Sequence, residues 1–279
     1  MKVSKAIITA AGQGQAQLPL QSVVDRSGNV RTAVDLLIDE VVAAGIEEIA
    51  LVIRPGTAEQ YLAAAGSHAS KLRFFEQDHP RGYGDALLRA RPFADKEPFL
   101  HLVSDHLYVS RSGVACAKQL VDVAIRENCS VSAVQPTREN LLAYFGAVGG
   151  SPVPRQSGLF EIARVVEKPT PTEAEQKLVV AGQRMGHYLC LFGMHVLAPT
   201  IFGLLDSRSA SLATDESFNL SDCLDQLARA ERYLATELEG VRYDIGEKYG
   251  LLIAQLAIAL SGEDRNRILS ELVELLAKN

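Results

Sequence analysis

The sequence lacks the features that mark membrane-spanning, secreted and nucleic-acid-binding proteins. No stretch of its 279 residues approaches the roughly 18 consecutive apolar residues of a membrane span. The first residues, MKVSKAIITAAG, hold too few apolar side chains for a signal peptide. No run rich in Lys or Arg is present, and the formal net charge is −6. We therefore expect neither nucleic acid nor an anionic membrane as the main partner.

Cysteines are few and widely spaced. Cys116, Cys129, Cys190 and Cys223 form no C-x-x-C pair, so neither a zinc site nor a disulfide framework is expected. Reduced thiols in a cytoplasm are the simplest interpretation. With 47% hydrophobic and 22% charged residues, the chain has enough apolar side chains to fill a core rather than remain disordered.

In the first half of the chain, short apolar runs alternate with helical patterns. Thr32 is placed to cap a helix whose apolar positions follow the 3.6-residue period. Such βαβα alternation predicts a parallel sheet with helices on both faces. The predicted strands are 5–9, 48–53, 72–76, 99–104 and 130–135, and the predicted helices are 33–44, 84–91 and 112–127.

The pattern changes after about Gln135. Antiparallel strands are predicted on either side of a turn at 149–152, and an amphipathic helix with an apolar stripe ends the chain. We predict a single domain over 1–279, with a nucleotide-binding half at 1–135 and a substrate-facing half at 136–279. The later predicted strands are 145–149, 159–167 and 188–195, and the later predicted helices are 172–180, 219–229, 246–260 and 265–277.

Two aspartates follow apolar strands at opposite ends of the chain. Asp105 lies in PFLHLVSDHLY and Asp244 in GVRYDIGEKYGLL. Strand ends are where an open α/β sheet meets its ligand, and carboxylate oxygens are the ligands that Mg²⁺ prefers. A turn cap is the plain alternative for Asp105. We interpret His106 as a loop residue rather than a metal ligand, and we assign no chemistry to His101 or His195.

The first strand leads into a glycine turn, AAGQG at residues 10–14. Its small residues would let a nucleotide lie against the backbone, although a plain tight turn fits equally well. A dinucleotide-binding fingerprint would need a third glycine at the position of Gln17 and an acidic residue where Ile53 and Arg54 end the second strand. No G-x-x-x-x-G-K-[ST] motif is present either. The sequence therefore fits neither the dehydrogenase pattern nor the P-loop pattern.

Further polar side chains follow strands, namely the pair Glu167 and Lys168 and the single residue Gln77. A Glu at position 167 can accept two sugar hydroxyls, and Lys168 supplies a compact positive charge for a phosphate. Gln77 can contact a base edge with one donor and one acceptor. In the absence of a nucleotide site, these side chains would be ordinary solvated groups.

Together these segments resemble the sugar-1-phosphate nucleotidyltransferases, and most of all the bacterial UTP–glucose-1-phosphate uridylyltransferases. The similarity covers most of the chain and implies the family's α/β fold, a Rossmann-like mixed, mostly parallel sheet flanked by helices. The block YDIGEKYG is more similar to the uridylyl than to the thymidylyl enzymes, which favours UTP. The segments, in order, are KAIITAAGQG, VVAAGIEEIALV, EQDHPRGYGDALLRA, PFLHLVSDHLY, YFGAVGG, VVEKP and GVRYDIGEKYGLLIAQLAIAL.

The resemblance also implies roles for residues. Asp105 and Asp244 would hold Mg²⁺, Lys168 would contact the sugar phosphate, Glu167 the sugar hydroxyls, and Gly146 would pack under the sugar. The implied partners are small molecules, a nucleoside triphosphate and a sugar 1-phosphate, with a homo-oligomer as an open alternative. The residues expected around the base and ribose are Ala10, Ala11, Gly12, Gly14, Gln77 and Gly82.

The sequence departs from the family pattern in the glycine loop. The family normally has an Arg and, after a Pro, a Lys that grip the triphosphate, whereas this chain has Ala16 and Ser22 there. Losing such a cation would cost on the order of 10²–10³ in rate, by analogy with an oxyanion-hole donor. Arg26, Arg31 and Arg81 are candidate substitutes. The alternative is a non-catalytic relative that binds a nucleotide sugar as a sensor or interaction protein.

Overall fold

The structure is a computed structural model that describes residues 1–12, 16–79, 81–213, 216 and 218–278. Strands and helices mostly alternate in the first half of the chain, as the sequence pattern predicts, and several strands follow one another directly in the second half. The strands are β1 (Lys5–Thr9), β2 (Ser22–Val24), β3 (Val30–Thr32), β4 (Glu48–Ile53), β5 (Leu72–Glu76), β6 (Phe99–Val103), β7 (His106–Ser110), β8 (Ser130–Arg138), β9 (Ala147–Pro152), β10 (Leu159–Val166), β11 (His187–Leu197), β12 (Tyr233–Glu237) and β13 (Gly240–Asp244). The α-helices are α1 (Ala33–Ala43), α2 (Ala58–Ala64), α3 (Tyr83–Arg89), α4 (Arg91–Ala94), α5 (Cys116–Glu127), α6 (Pro171–Lys177), α7 (Thr200–Ala210), α8 (Leu220–Ala230), α9 (Gly250–Leu260) and α10 (Arg265–Lys278).

The central sheet has nine strands in the order β5-β4-β1-β6-β11-β8-β12-β10-β9. The pairs β5–β4, β4–β1, β1–β6 and β8–β12 are parallel, and the remaining pairs are antiparallel. Only β10 and β11 therefore run against the other seven strands of this sheet. The predicted α/β fold with a mixed, mostly parallel sheet is confirmed.

Alternation along the central strands explains why helices cover both faces. In β1, Ile8 packs into a cluster with residues of α1 and α5, whereas Ile7 packs into the opposite cluster with residues of α3, α7 and α8. Successive side chains of a strand point to opposite faces, so a strand with apolar side chains on both faces needs cover on both sides. Fully burying one such side chain contributes roughly 1.5–3 kcal/mol.

Helix α1 illustrates how local sequence sets an element boundary. The hydroxyl oxygen of Thr32 accepts a hydrogen bond from the backbone N–H of Asp35 at 3.2 Å, which confirms the predicted cap. The helix then buries Val34, Leu37 and Ile38 against the sheet. The cap and the apolar face together fix both the start of the helix and its orientation.

A small two-stranded sheet, β7 with β13, lies beside the end of the central sheet. The pairing is antiparallel, with Asp244 opposite His106 and Arg242 opposite Tyr108. The backbone N–H of Ile245 donates a hydrogen bond to the carbonyl oxygen of Asp105 at 2.8 Å. This pairing joins segments that are far apart in the sequence and brings the two predicted metal ligands to one place.

Several sequence predictions are wrong in detail. The predicted turn at 149–152 belongs to β9, where pairing with β10 overrides the local preference of its glycines. His106 is not a loop residue, since it begins β7. The helix predicted over 112–127 begins at Cys116, and the helix predicted over 246–260 begins at Gly250.

The apolar stripe of the last helix lies at the surface, although a stripe of this kind usually packs against the core. No residue of α10 is buried, and the side chain of Leu276 is 78% exposed. An apolar face left open in this way is typical of a surface that contacts another molecule. Among the described residues, no helix is both long and apolar enough to cross a membrane.

Candidate active site

The carboxyl ends of four parallel strands form the edge at which the candidate site lies. In the register of the sheet, Thr9 of β1 is opposite both Val52 of β4 and Val103 of β6, and Ile53 of β4 is opposite Glu76 of β5. These strands therefore end at nearly the same level. The residues that follow them, including Ala10 to Gly12 of the glycine turn, Gln77 and Asp105, are placed along one edge of the sheet, where open α/β sheets bind ligands.

A cavity of about 290 Å³ lies at this edge. Asp105, Gly146, Glu167, Lys168 and Asp244 all line it. These five are the residues that the sequence predicts for the metal and the sugar phosphate. They come from four separate segments, at the ends of β6, β10 and β13 and just before β9.

Asp244 is held in its ionised form. Its Oδ1 accepts a hydrogen bond from the backbone N–H of Gly246 at 2.9 Å, and its Oδ2 lies 3.5 Å from Nε2 of His106. Burial raises the pKa of Asp244, but the hydrogen bond and charge of His106, with smaller contributions from Gly246 and Arg242, lower it below its ordinary value. A carboxylate that is ionised and faces a cavity is suited to hold a cation.

The side chain of Asp105 has no hydrogen-bond or ion-pair partner in the described part of the chain, and it lines the same cavity as Asp244. The antiparallel pairing of β7 and β13 fixes the backbone positions of the two residues. Two oxygen-donor side chains facing one space are the ligand type that a hard divalent cation selects.

The carboxylate of Glu167 lies directly against Gly146. A Cβ atom added to Gly146 would lie 2.9 Å from Oε2 of Glu167 and 3.1 Å from Oγ of Ser221. The hydroxyl of Ser221, on α8, donates a hydrogen bond to that same Oε2 at 2.5 Å. The absence of a side chain at position 146 thus leaves room for an oriented carboxylate at the cavity wall.

Lys168 follows at the same turn. Its backbone φ is +46°, and its N–H donates to the carbonyl oxygen of Phe145 at 3.2 Å. The positive φ is uncommon for a residue with a side chain. The exposed ammonium group forms no hydrogen bond or ion pair with the residues the structure describes, so it is available for an anion.

The predicted nucleotide-binding residues lie outside the wall of this cavity. Ala10 and Ala11 are buried at the end of β1, where the N–H of Ala10 donates to the carbonyl oxygen of Val52 at 2.7 Å. Gly12 is exposed next to them. Gly14 lies outside the described residues. The described part of the turn thus presents bare backbone at the sheet edge.

Gln77 is also predicted to contact the base, and the structure restricts how it can do so. Its Nε2 donates to the carbonyl oxygen of Gly82 at 3.2 Å and to Oδ2 of Asp85 at 2.7 Å. Both partners are acceptors, so the amide nitrogen must face them. The prediction that Gln77 contacts a base edge with one donor and one acceptor is therefore wrong. Only its amide oxygen remains available to a ligand.

Gly82 is the residue that allows this arrangement. Its φ is +97°, a conformation that residues with side chains rarely adopt, and an added Cβ would lie 2.7 Å from the carbonyl oxygen of Phe218. Its own carbonyl oxygen accepts the hydrogen bond from Gln77. Gly82, the residue just before α3, therefore helps to fix the orientation of the Gln77 amide.

Arg242 also lines the cavity, although none of the sequence patterns identified it as a site residue. Arg242 lies on β13 two residues before Asp244, so both point to the same face of the strand. It is 7% exposed, and its guanidinium carbon lies 3.6 Å from the ring centre of Phe145. The two-residue spacing from Asp244 was the signal that could have identified it.

Two buried histidines close to the candidate site in the fold, one of which (His195) lines the cavity, are uncharged at neutral pH. His101 and His195 are buried strand residues, as predicted, and burial lowers the pKa of His195 to about 3. Burial also lowers the pKa of His101 well below its usual range. Nδ1 of His101 lies 3.1 Å from the hydroxyl oxygen of Tyr83, and Nδ1 of His195 lies 2.5 Å from that of Ser132, so both neutral rings take part in hydrogen bonds inside the protein.

A different cluster consists of Asp35, Asp39 and His68. Among the described residues it is the one group of three His, Cys, Asp or Glu side chains whose possible metal-ligand atoms lie within 4.8 Å of one another. Arg31 already occupies it, 2.7 Å from Oδ2 of Asp35 and 2.5 Å from Oδ2 of Asp39. Its guanidinium charge disfavours a metal ion there. Arg31 and Asp39 also line a separate cavity of about 320 Å³ that contains none of the predicted site residues.

The fold, the cavity at its carboxyl edge and the sequence agree on one class of protein. A family model described as "Nucleotidyl transferase" matches residues 5–260. The chain therefore belongs to the nucleotidyl transferase family. The family resemblance predicted from the sequence segments is confirmed.

Two relatives in the sequence comparison are UTP–glucose-1-phosphate uridylyltransferases. The chain is 28% identical over 291 residues to a UTP–glucose-1-phosphate uridylyltransferase of Streptococcus pneumoniae serotype 4, an alignment that covers 93% of this chain and 91% of the relative. It is 29% identical over 293 residues to UTP–glucose-1-phosphate uridylyltransferase 1 of Streptococcus pyogenes serotype M1, covering 93% and 90%.

Solved structures with the same fold include UDP-glucose pyrophosphorylases. One, complexed with UDP-glucose, has a TM-score of 0.73 and 22% identity and covers 92% of this chain and 98% of its own. The UTP-bound enzyme from Acinetobacter baumannii has a TM-score of 0.75 and 21% identity and covers 98% and 99%. At 21–22% identity, the similarity to these structures establishes the fold alone.

Proposed function

We propose that the protein transfers a uridylyl group from UTP to a sugar 1-phosphate, with glucose 1-phosphate as the first candidate, and releases pyrophosphate. One observation carries the proposal: Asp105, Asp244, Glu167 and Lys168, from distant segments, face a single cavity at the carboxyl edge of the sheet. The names of the Streptococcus relatives support the choice of UTP and glucose 1-phosphate.

The proposed reaction is an in-line displacement. An oxygen of the sugar phosphate attacks the α-phosphorus of UTP, a new P–O bond forms, and the bond to the β-phosphate breaks to release pyrophosphate. Lys168 offers its unpaired ammonium to the sugar phosphate. Glu167, oriented by Ser221 at 2.5 Å, offers an acceptor to sugar hydroxyls. Positioning and charge neutralisation carry such a reaction without a covalent intermediate on the protein.

Asp105 and Asp244 are the residues that would hold a divalent metal ion, which we propose to be Mg²⁺. Their fit rests on the donor chemistry: two carboxylates face one cavity, and Asp244 has a lowered pKa. When bound, the ion would neutralise phosphate charge in the transition state.

Gln77 gives the site a way to prefer uracil. Because Gly82 and Asp85 engage its amide nitrogen, only its carbonyl oxygen can meet a base. Uracil presents an N3–H donor to such an acceptor, whereas cytosine presents an unprotonated N3 at that position. The mismatch with cytosine leaves two acceptors facing each other, which is unfavourable in a partly buried site.

Turnover assays test the proposal directly. The protein is incubated with Mg²⁺, UTP and a panel of hexose 1-phosphates, and pyrophosphate release is measured. Release with at least one sugar phosphate supports it. No release across the panel, with each of the other nucleoside triphosphates also tested, would refute it.

A second candidate is a non-catalytic relative that binds a nucleotide sugar. The observation in its favour is Ala16 and Ser22, which stand where the family has its triphosphate-gripping Arg and Lys; Ser22 is the first, exposed residue of β2. Thermal unfolding separates the two candidates. A rise in Tm with UDP-glucose but none with UTP and Mg²⁺ would favour the binding protein.

Three broader features belong to the same proposal. The chain acts as one domain, because strands from residues 1–135 and 136–279 share the nine-stranded sheet. The open apolar faces of α9 and α10 support a homo-oligomer. A cytoplasmic location stays a prediction from the sequence.

A further inference from the structure

We propose that Arg242 is a phosphate-binding residue of the candidate active site and supplies positive charge that the altered glycine loop lacks. The inference rests on the proposed function and adds a residue to it. The sequence suggests Arg26, Arg31 and Arg81 as substitutes for the missing cations, and the contacts of each decide whether it can serve.

None of the three arginines suggested by the sequence is free to contact a phosphate in the cavity. The guanidinium of Arg31 is paired with Asp35 and Asp39. Arg81 donates to the backbone carbonyl oxygens of Glu216 and Ala213 at 3.5 and 3.4 Å.

Arg26 is also directed elsewhere. It donates to the carbonyl oxygen of Ser110 at 3.4 Å and lines the separate cavity of about 320 Å³. Neither Arg26, Arg31 nor Arg81 is among the residues that line the candidate site. A substitute cation must therefore come from another part of the chain.

Arg242 has the opposite properties. It lines the cavity, is 7% exposed, and donates no hydrogen bond to any residue that the structure describes. Five N–H donors of a buried guanidinium without protein acceptors are unfavourable unless a ligand or water satisfies them. A phosphate in the cavity supplies acceptors that match the planar fork.

The packing around Arg242 fixes the direction of its guanidinium group. The guanidinium carbon lies over the ring of Phe145, 3.6 Å from the ring centre. The side chain lines the cavity and has no hydrogen-bond partner among the described residues, so its N–H groups are available to a ligand there. Phe145 precedes Gly146, so the stack borders the place where the sugar phosphate is proposed to bind.

Charge also favours an anion at this position. Arg242 carries a positive charge at neutral pH, because an arginine side chain in a protein does not lose its proton. An oxygen of a phosphate held between this guanidinium, Lys168 and a metal on the two carboxylates would be neutralised from several sides.

The test compares Arg242→Gln and Arg242→Lys with the wild type and with Arg232→Gln. Arg232 is a partly exposed arginine that pairs with Glu127 at 2.8 Å, away from the cavity. Calorimetric titrations with glucose 1-phosphate, UDP-glucose and uridine are made alongside turnover with UTP, and thermal unfolding checks each fold. Binding is read independently of activity, so the test remains decisive in a protein that does not turn over.

We expect Arg242→Gln to lose on the order of 10²–10³ in kcat/KM and to weaken both phosphorylated ligands, with a smaller loss for Arg242→Lys. Uridine, which has no phosphate, should bind the variants as it binds the wild type. Equal losses for uridine and UDP-glucose would overturn the proposal and show a packing role through Phe145. Unchanged binding of both phosphorylated ligands, or an equal loss in the control Arg232→Gln, would also overturn it.

If Arg242→Gln fails to fold, the second variant carries the test. Arg242→Lys keeps the positive charge but loses the planar pair of N–H donors that a guanidinium presents. An unchanged affinity for uridine together with weaker binding of glucose 1-phosphate would therefore support the assignment. The proposed function fails separately, when the wild type neither releases pyrophosphate nor binds any of the phosphorylated ligands. In a wild type that binds or turns over, only the Arg242 variants decide this inference.

Discussion

The backbone N–H of Ile245 donates to the carbonyl oxygen of Asp105 at 2.8 Å, and this bond extends the pairing of β7 with β13 by one step. It fixes the positions of Asp105 and Asp244, which lie far apart in the sequence and line one cavity. The proposed metal site therefore depends on a small two-stranded sheet outside the central one.

Removing either carboxylate should slow turnover strongly. We expect Asp105→Asn and Asp244→Asn each to lower kcat by on the order of 10²–10³ or more, because the charge that would bind the metal is lost. Pyrophosphate release measures the effect. Asp122→Asn is the matched control, since Asp122 is exposed on α5 and pairs with Lys118. Full activity in both cavity variants would contradict the metal assignment.

Uracil selection should depend on Asp85. Asp85→Ala removes one of the two acceptors that hold the amide nitrogen of Gln77, so the amide can turn over and offer a donor. We expect the preference for UTP over CTP to fall about tenfold, the worth of one hydrogen bond. Competition assays with the two nucleotides measure it.

A matched control for this selection is Arg89→Ala. Arg89 contacts the same Oδ2 of Asp85 at 3.5 Å, and its loss leaves the bond between Gln77 and Asp85 in place. The control should keep the wild-type preference for UTP. If Asp85→Ala keeps the preference as well, the proposed role of Gln77 is wrong.

A methyl group at position 146 should disturb the sugar-phosphate side of the site. In Gly146→Ala the new Cβ would lie 2.9 Å from Oε2 of Glu167 and 3.0 Å from Cδ1 of Leu191. Overpacking of this kind costs about 1–3 kcal/mol. We expect a lower Tm and a KM for sugar 1-phosphate that rises more than the KM for UTP.

Gly203→Ala is the control for this effect. Gly203 lies in α7, and nothing lies within 4 Å of an added Cβ there. Alanine favours a helix over glycine by about 1 kcal/mol, so this variant should be at least as stable as the wild type and fully active. An unchanged KM in Gly146→Ala would mean that Glu167 does not touch the sugar.

The network of Arg31, Asp39 and His68 should stabilise the fold in a pH-dependent way. Burial raises the pKa of Asp39, but hydrogen bonds from Arg31 and His68 outweigh it and lower that pKa below its ordinary value. A lowered folded-state pKa gives stability that is present above the unfolded value, about 3.9, and is lost as the pH falls through the folded one.

Urea unfolding of Asp39→Asn measures this contribution. The free energy of unfolding should be lower than that of the wild type at pH 7, and the difference should shrink as the pH falls below about 4. Asp122→Asn again serves as the exposed control. A difference that is constant between pH 7 and pH 3 would show that the charge of Asp39 does not stabilise the fold.

Local patterns predicted most of the central sheet and the identities of the cavity residues. The ends of β1, β5 and β6 follow from apolar runs that stop at a polar residue or glycine, and parallel pairing then aligns these ends. Glu167 and Lys168 were identified in the same way.

The remaining features depend on contacts between distant segments. Arg242 is visible in the sequence, but only the pairing of β13 with β7 turns it into the cavity and against Phe145. The glycines of β9 favour a turn locally, yet β10 pairs with them as a strand. The engaged nitrogen of Gln77 likewise required the fold around Asp85.

The most direct test of the central claim is a crystal structure with Mn²⁺ and UDP-glucose, in which anomalous scattering locates the ion. The account predicts one peak in the cavity of about 290 Å³, in contact with carboxylate oxygens of both Asp105 and Asp244. A peak at Asp35, Asp39 and His68, or one that contacts neither cavity aspartate, would contradict it.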